Sequence, residues 1–94
     1  MPSRRSRLDI ILKVLRVVRE GVDKPTRIMY AANLSWRPTH RILRSLVQQD
    51  LLMEIDNTES QRSKKRYVIT EKGSNVVSYF ERAQGLLEVE EILS

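Results

Sequence analysis

Ninety-four residues with a net charge of +5 and no cysteine make one domain with a modest core, without disulfides or a thiolate metal cluster. The basic start leads into an apolar run that Asp9, Lys13, Arg16 and Arg19 interrupt, which excludes a signal sequence or a membrane span in that stretch. Residues 1–48 hold 11 Lys or Arg against 3 Asp or Glu, whereas residues 67–94 hold 2 against 5, so a polyanion is attracted to the first half and repelled by the tail.

Residues 1–7 read as a disordered basic arm whose Arg4 and Arg5 can reach a phosphate backbone. The first periodic segment, Arg7–Glu20, places Leu8, Ile11, Leu15 and Val18 on one stripe that Ile10, Val14 and Val17 widen. That width predicts a helix covered by more than one neighbour, ended by Gly21 in the left-handed conformation. A second, shorter helix is predicted over Lys24–Ala32, capped by Asp23 with Pro25 in its first turn. Ile28, Ala31 and Ala32 face inward, and Asn33-Leu34-Ser35 makes a tight connection to the next helix.

That next helix, Trp36–Gln48, organises the chain. Ser35 is its expected cap, and Leu43, Leu46 and Val47 recur at helical spacing to hold one side down. Arg37, Arg41, Arg44 and Gln48 remain on the other side, with Thr39 and His40 as secondary candidates. Long donors on an anchored helix, with no carboxylate before Asp50, suit the edge of a duplex. Trp36 fits core packing as well as sugar or phosphate contact, and packing is the preferred reading. Two short helices joined by a tight turn, the second basic outside, form the helix-turn-helix pattern.

After Asp50 the period changes. Leu51–Asp56 and Arg66–Ile69 are β-prone and enclose a polar stretch with four cations, Arg62, Lys64, Lys65 and Arg66. The expected form is a two-stranded hairpin, a wing, leaning on the helices through Leu52, Ile55, Tyr67 and Ile69. Thr70 then caps a last helix predicted to run to about Leu93. Val76, Phe80, Ala83 and Leu87 suggest a seam on it, and Leu86, Val89 and Leu93 offer a second, rotated stripe. An apolar face of that length favours association with a second copy over folding back across its own domain.

Three blocks, Thr26-Arg27-Ile28-Met29-Tyr30, Ala32-Asn33-Leu34-Ser35 and Tyr67-Val68-Ile69-Thr70-Glu71-Lys72-Gly73, resemble the archaeal winged-helix proteins of the Sso10a type from about Leu8 to Leu87. The resemblance implies an α+β, mostly α fold: a winged helix-turn-helix over residues 8–73, with residues 74–94 as a C-terminal helix extending into an antiparallel coiled-coil dimer arm. It also implies DNA binding as a transcriptional regulator or chromatin protein, with residues 36–48 as recognition helix and 57–66 as wing. Lys24 and Arg27 would extend the backbone contact. Family members often carry a longer C-terminal helix, and the aromatic after Asn-Leu-Ser, Trp36 here, is commonly tyrosine.

Catalysis has little to stand on. His40 is the sole histidine, with no cysteine or carboxylate spaced to complete a metal site, and the three glycines are isolated rather than gathered in a phosphate loop. Asp56 and Glu59 fall on a wet hairpin, the wrong setting for a raised pKa. The expectation is therefore a non-enzyme without cofactor, metal or small-molecule ligand, cytoplasmic and nucleoid-associated, whose partners are double-stranded DNA and a second copy. Its rivals are a winged-helix module for protein partners and a binder of structured RNA.

Overall fold

The computed structural model describes residues 6–57 and 64–87. In chain order these form α1 (Arg7–Arg19), α2 (Pro25–Ala31), α3 (Trp36–Gln48), β1 (Leu52–Asn57), β2 (Lys64–Ile69) and α4 (Glu71–Leu86). This is the mostly helical winged-helix arrangement the sequence predicts. No described helix is long and apolar enough to cross a membrane.

α1 starts at a reciprocal cap: the Asp9 N–H donates to the Ser6 hydroxyl at 3.0 Å, and the Ser6 N–H donates to the Asp9 carboxylate at 3.3 Å. The stripe read from Leu8 to Val18 is buried only from Leu12 onward; Leu8 is 46% exposed, and Ile10 and Ile11 are half-buried. α1, α2 and α3 all end in the same way. Gly21 (φ 105°), Asn33 (φ 55°) and Asp50 (φ 62°) take the left-handed conformation. The N–H groups of Val22, Leu34 and Leu51 then reach back to Val17, Met29 and Leu46 at 3.2, 3.0 and 2.9 Å. These are Schellman closures, and the apolar residue after each turn packs against or joins the core. Asn33 and Asp50 tolerate positive φ better than most side-chain-bearing residues.

The helix starts differ from expectation. Lys24, not Asp23, is the N-cap residue of α2 and makes no side-chain cap bond. Asp23 instead serves the wing: its carbonyl accepts the Tyr67 N–H at 2.9 Å, and its carboxylate lies 3.9 Å from Arg66. Ser35 sits at the N-cap of α3 without a side-chain cap bond, and its carbonyl accepts the Thr39 hydroxyl at 2.8 Å.

β1 and β2 pair antiparallel with Leu52 opposite Ile69 and Glu54 opposite Tyr67. Leu52 and Tyr67 are buried, whereas Met53, Ile55 and Val68 are exposed. Ile55 therefore does not lean on the helices as expected. It lies three residues from Leu52, and strand faces alternate with a period of two, so the two cannot share a face.

The core joins Val14, Leu15, Val17 and Val18 of α1 to Ile28, Leu43, Leu46, Leu51, Leu52, Tyr67 and Val77. α4 enters it through Val77 and its first turn. The Thr70 hydroxyl accepts the Gly73 N–H at 3.0 Å and lies 2.7 and 3.0 Å from the Asp50 and Leu51 carbonyls, while the Lys72 ammonium donates to the Gln49 carbonyl at 2.8 Å. The start of α4 thereby fastens the end of α3. Farther along, Arg19 donates to Glu81 at 2.7 and 3.2 Å and Arg16 to Gln84 at 3.5 Å. Three residues back on α1 match three forward on α4, so these helices run antiparallel. α4 ends at Leu86, and Leu87 has left helical backbone at ψ 108°. The expected continuation to Leu93 is thus not found as far as Leu87, and residues 88–94, with Val89 and Leu93, lie outside the described residues.

The hydrogen bonds from Arg19 hold the Glu81 carboxyl below its ordinary value of 4.5; burial pushes up against them, and the charges of Arg19 and Arg16 add smaller downward pulls. A carboxyl whose pKa is lowered by folding stabilises the fold above its unfolded value and loses that contribution as pH falls through the folded one. Glu81→Gln is therefore expected to lower the urea midpoint slightly at neutral pH and to converge with the parent chain in acid. A difference that persists or grows in acid would contradict this link.

Candidate nucleic-acid interface

Successive residues of an α-helix are turned by about 100°, so Arg37, Arg41, Arg44 and Gln48 fall within an arc of roughly 60°. All four side chains are exposed on α3, while Leu43 and Leu46 on the opposite side are buried and Val47 packs against the core. The expected division of α3 into an anchored and a free face is found. Thr39 belongs to the wrong face for its expected role. It is 0% exposed, one turn before Leu43, and its hydroxyl is spent on the Ser35 carbonyl. A duplex cannot reach it.

Trp36 corrects the sequence reading in the other direction. It is 53% exposed at the start of α3, with its ring centroid 4.0 Å from that of His40 at an interplanar angle of 66°. Trp36, Arg37, His40, Arg41 and Arg44 line one shallow depression of about 300 Å³. An aromatic edge set among guanidinium groups can meet a sugar or a thymine methyl while its neighbours take phosphates or base edges. Hydrophobicity pointed Trp36 inward. Spacing pointed it inward as well, since Trp36 stands three residues before Thr39 and seven before Leu43; its place at the first position of α3 is what leaves it exposed.

Ion pairing sorts the cations. Arg16 and Arg19 are held by Glu81, Lys65 lies 3.5 Å from Glu54, and Arg66 lies 3.9 Å from Asp23. Among the described residues, Arg37, Arg41 and Arg44 have no such acid within ion-pair distance. The charges of Arg16 and Arg19 on α1 are thus spent on holding α4, while those of Arg37, Arg41 and Arg44 on α3 stay available to a polyanion. The wing is electrically joined to this face. Burial raises the Tyr67 phenol pKa, the Glu54 carboxylate and its hydrogen bond raise it further, and the charge of Arg44 pulls it down.

Lys24 and Arg27 are exposed on the second helix and its cap. Lys65 and Arg66 alternate to opposite faces of β2, so the wing does not present its cations as one row. Lys64 lies in β2 opposite Asn57, and Arg4, Arg5 and Arg62 fall outside the described residues. Among the described residues, no group of three His, Cys, Asp or Glu is arranged to hold a metal ion.

On α4, Val77 is buried, Val76, Phe80 and Ala83 are half-buried, and Tyr79, Leu86 and Leu87 are 70%, 78% and 56% exposed. The apolar face proposed from the sequence thus divides into a part spent on the core and a part left open at the helix end.

Comparison with known proteins places this geometry in a family. The chain is 31% identical over 75 residues to the uncharacterized protein MJ0287 of Methanocaldococcus jannaschii, covering 80% of this chain and 69% of that protein. Its fold matches the crystal structure of smu.1704 from Streptococcus mutans with a TM-score of 0.80 at 20% identity, covering 99% of this chain and 93% of that one. It also matches the Adhesin competence repressor from Streptococcus pyogenes with a TM-score of 0.69 at 22% identity, covering 90% of this chain and 63% of that one. Residues 4–88 match the winged helix-turn-helix family, and with α2 and α3 joined by the tight turn at Asn33 and the β1–β2 wing following α3, the chain belongs to that family.

Proposed function

We propose that the chain is a homodimeric regulator that binds double-stranded DNA and acts by binding alone. The observation that carries this reading is the arc of Arg37, Arg41, Arg44 and Gln48, without an acid partner among the described residues and exposed on a helix whose other side is locked into the core. In the major groove, arginine can grip guanine O6 and N7, and glutamine can grip adenine N6 and N7. Trp36 and His40 flank that contact. Lys65 and Arg66, with Arg62 and Lys64, serve as phosphate contacts of the wing; Lys24, Arg27, Arg4 and Arg5 extend the grip along the backbone.

The name of the Adhesin competence repressor, a fold neighbour, favours regulation of transcription over general coating of DNA. The Sso10a-type reading adds the finer features, an antiparallel coiled-coil dimer arm and a chromatin role at the nucleoid. The open apolar surface of Leu86 and Leu87, continuing from Phe80 and Ala83, supports a second copy as the partner of α4.

Duplex DNA titrated over a salt series tests the central claim. The logarithm of affinity is expected to fall with the logarithm of salt by about 0.9 for each phosphate neutralised, a slope of roughly −7 per subunit if every cation proposed here as a phosphate contact meets one. Failure to bind at low salt would overturn the DNA reading, and equal competition by duplex RNA would overturn DNA as the particular partner. Sedimentation of the chain and of Leu86→Ser with Leu87→Ser tests the dimer separately: a monomeric parent chain contradicts it.

A further inference from the structure

Between α1 and α3 runs a groove that shares only Arg41 with the proposed DNA contact. Its wider end, about 390 Å³, is lined by Arg7, Ile10, Ile11, Pro38, Arg41 and Ile42. Through Ile11, Arg41 and Ile42 it continues into a second hollow of about 260 Å³ that reaches Leu46 and Leu51. The floor is apolar, Arg7 and Arg41 are among the residues that line the groove, and among the described residues no carboxylate lines either hollow. Among the described residues neither arginine has an acid within ion-pair distance.

We propose that this groove receives the chain's own C-terminal segment, residues 88–94, and that the seated segment covers Arg41 and competes with DNA. The segment reads Glu88-Val89-Glu90-Glu91-Ile92-Leu93-Ser94: three carboxylates, no cation and three branched apolar side chains. Its chemistry complements the groove on both counts, with carboxylates for Arg7 and Arg41 and apolar groups for the isoleucine floor. A single exposed ion pair contributes little, so the grip needs both components together.

The course of α4 brings the segment to the groove. The contacts of Arg19 with Glu81 and of Arg16 with Gln84 run antiparallel along α1. One further turn brings Leu87 level with residues 12–13 of α1, where the backbone turns out of the helix. Arg7 lies less than two turns farther on, roughly 8 Å along α1, and a helix is about 10 Å across. Seven residues span up to about 25 Å, enough to pass round α1 into the groove. Other segments of the chain fit less well. The arm carries Arg4 and Arg5 and is repelled by Arg7 and Arg41, and residues 58–63 are tethered at both ends by the strands of the wing.

Docking itself does not depend on the proposed function, whereas its consequence does: a tether this short holds the acidic segment at high effective concentration against an arginine assigned to DNA. If the segment is seated about four-fifths of the time, the apparent affinity for DNA is about fivefold below that of the open domain.

The chain has no cysteine, so Ser94→Cys carries one nitroxide label on the full-length protein, with isoleucine methyl groups observed by NMR and no DNA present. Ile10, Ile11 and Ile42 are expected to broaden more than Ile55 on the outer face of the wing, and to sharpen with added salt and in Ile92→Ser with Leu93→Ser. Absence of that broadening overturns the docking. In a mixture where label and isotope sit on different chains, broadening as strong as in the doubly marked chain would assign the groove to a second copy and overturn the same-chain occupant. For the competition, Glu88→Gln with Glu90→Gln and Glu91→Gln is expected to bind duplex DNA about fivefold more tightly. Ile92→Ser with Leu93→Ser, which leaves the charge unchanged, is expected to do so as well. A gain in the glutamine variant alone would be a general charge effect and would overturn the competition. A chain that shows the broadening yet never binds DNA would refute the proposed function while leaving the docking intact.

Discussion

Gly73→Ala is expected to destabilise the fold by about 3 kcal/mol, with a fall in Tm of more than about 10 °C. Gly73 is buried in the first turn of α4, and a Cβ built there runs into the Leu51 backbone carbonyl and comes within 2.9 Å of the Ile69 Cγ1. Neither neighbour is free to move. The Leu51 carbonyl lies within reach of the Thr70 hydroxyl and accepts the Thr70 N–H at 3.2 Å, while the Leu51 N–H closes α3 through the Leu46 carbonyl. Ile69 packs against the core directly opposite Leu52. Gly85 supplies the control. It lies in the same helix with nothing within 4 Å of its added Cβ, so Gly85→Ala should stabilise by about 0.5–1 kcal/mol through helix propensity and the loss of unfolded-state freedom. Thermal melts of both variants check the pair; equal effects at the two positions would mean that α4 does not seat on the end of α3 in this way.

Arg41→Ala combined with Arg44→Ala is expected to lower affinity for duplex DNA by a factor of about 30 to 10⁴. Each arginine contributes about 1–3 kcal/mol if it grips a base edge, and less if it meets phosphate alone. Both side chains are exposed, and neither takes part in the ion pairs that hold the helices together, so the melting temperature should hardly move. Thr39→Ser is the matched comparison on the buried face and should leave DNA affinity within about twofold, because the retained hydroxyl still meets the Ser35 carbonyl. Fluorescence anisotropy on a panel of duplexes separates base reading from phosphate grip. A loss equal on all sequences, with a reduced salt slope, indicates phosphate; a loss confined to preferred sequences indicates base contact. An unchanged affinity in the double variant would remove α3 from the interface.

Much of this was visible in the residue order because helices and strands are local periodic objects. The arc of Arg37, Arg41, Arg44 and Gln48 follows from spacings of four, three and four, and so does the buried side at Leu43 and Leu46. The same arithmetic should have excluded Thr39, which stands four residues before Leu43, and Ile55, which stands an odd number of residues from Leu52. Those two misreadings came from residue type taken ahead of position. The helix ends carried a local signal too: Gly21-Val22, Asn33-Leu34 and Asp50-Leu51 each pair a residue tolerant of positive φ with an apolar one, although the sequence reading used only the glycine.

The amino-acid order by itself determined the element sequence, the turn residues, the wing and the helix that faces outward, all consequences of dihedral preference and of periods of 3.6 and 2. The tertiary structure decided which charges remain free. Arg19 and Glu81 are separated by 62 residues, so only the packing of α4 along α1 could show that Arg16 and Arg19 are consumed internally while the arginines of α3 are left for a partner. It also decided that Trp36 faces water, that Asp23 serves the wing rather than α2, and that Gly73 must have no side chain. Each of these depends on what lies across a contact between distant segments, and a one-dimensional pattern holds no distance of that kind.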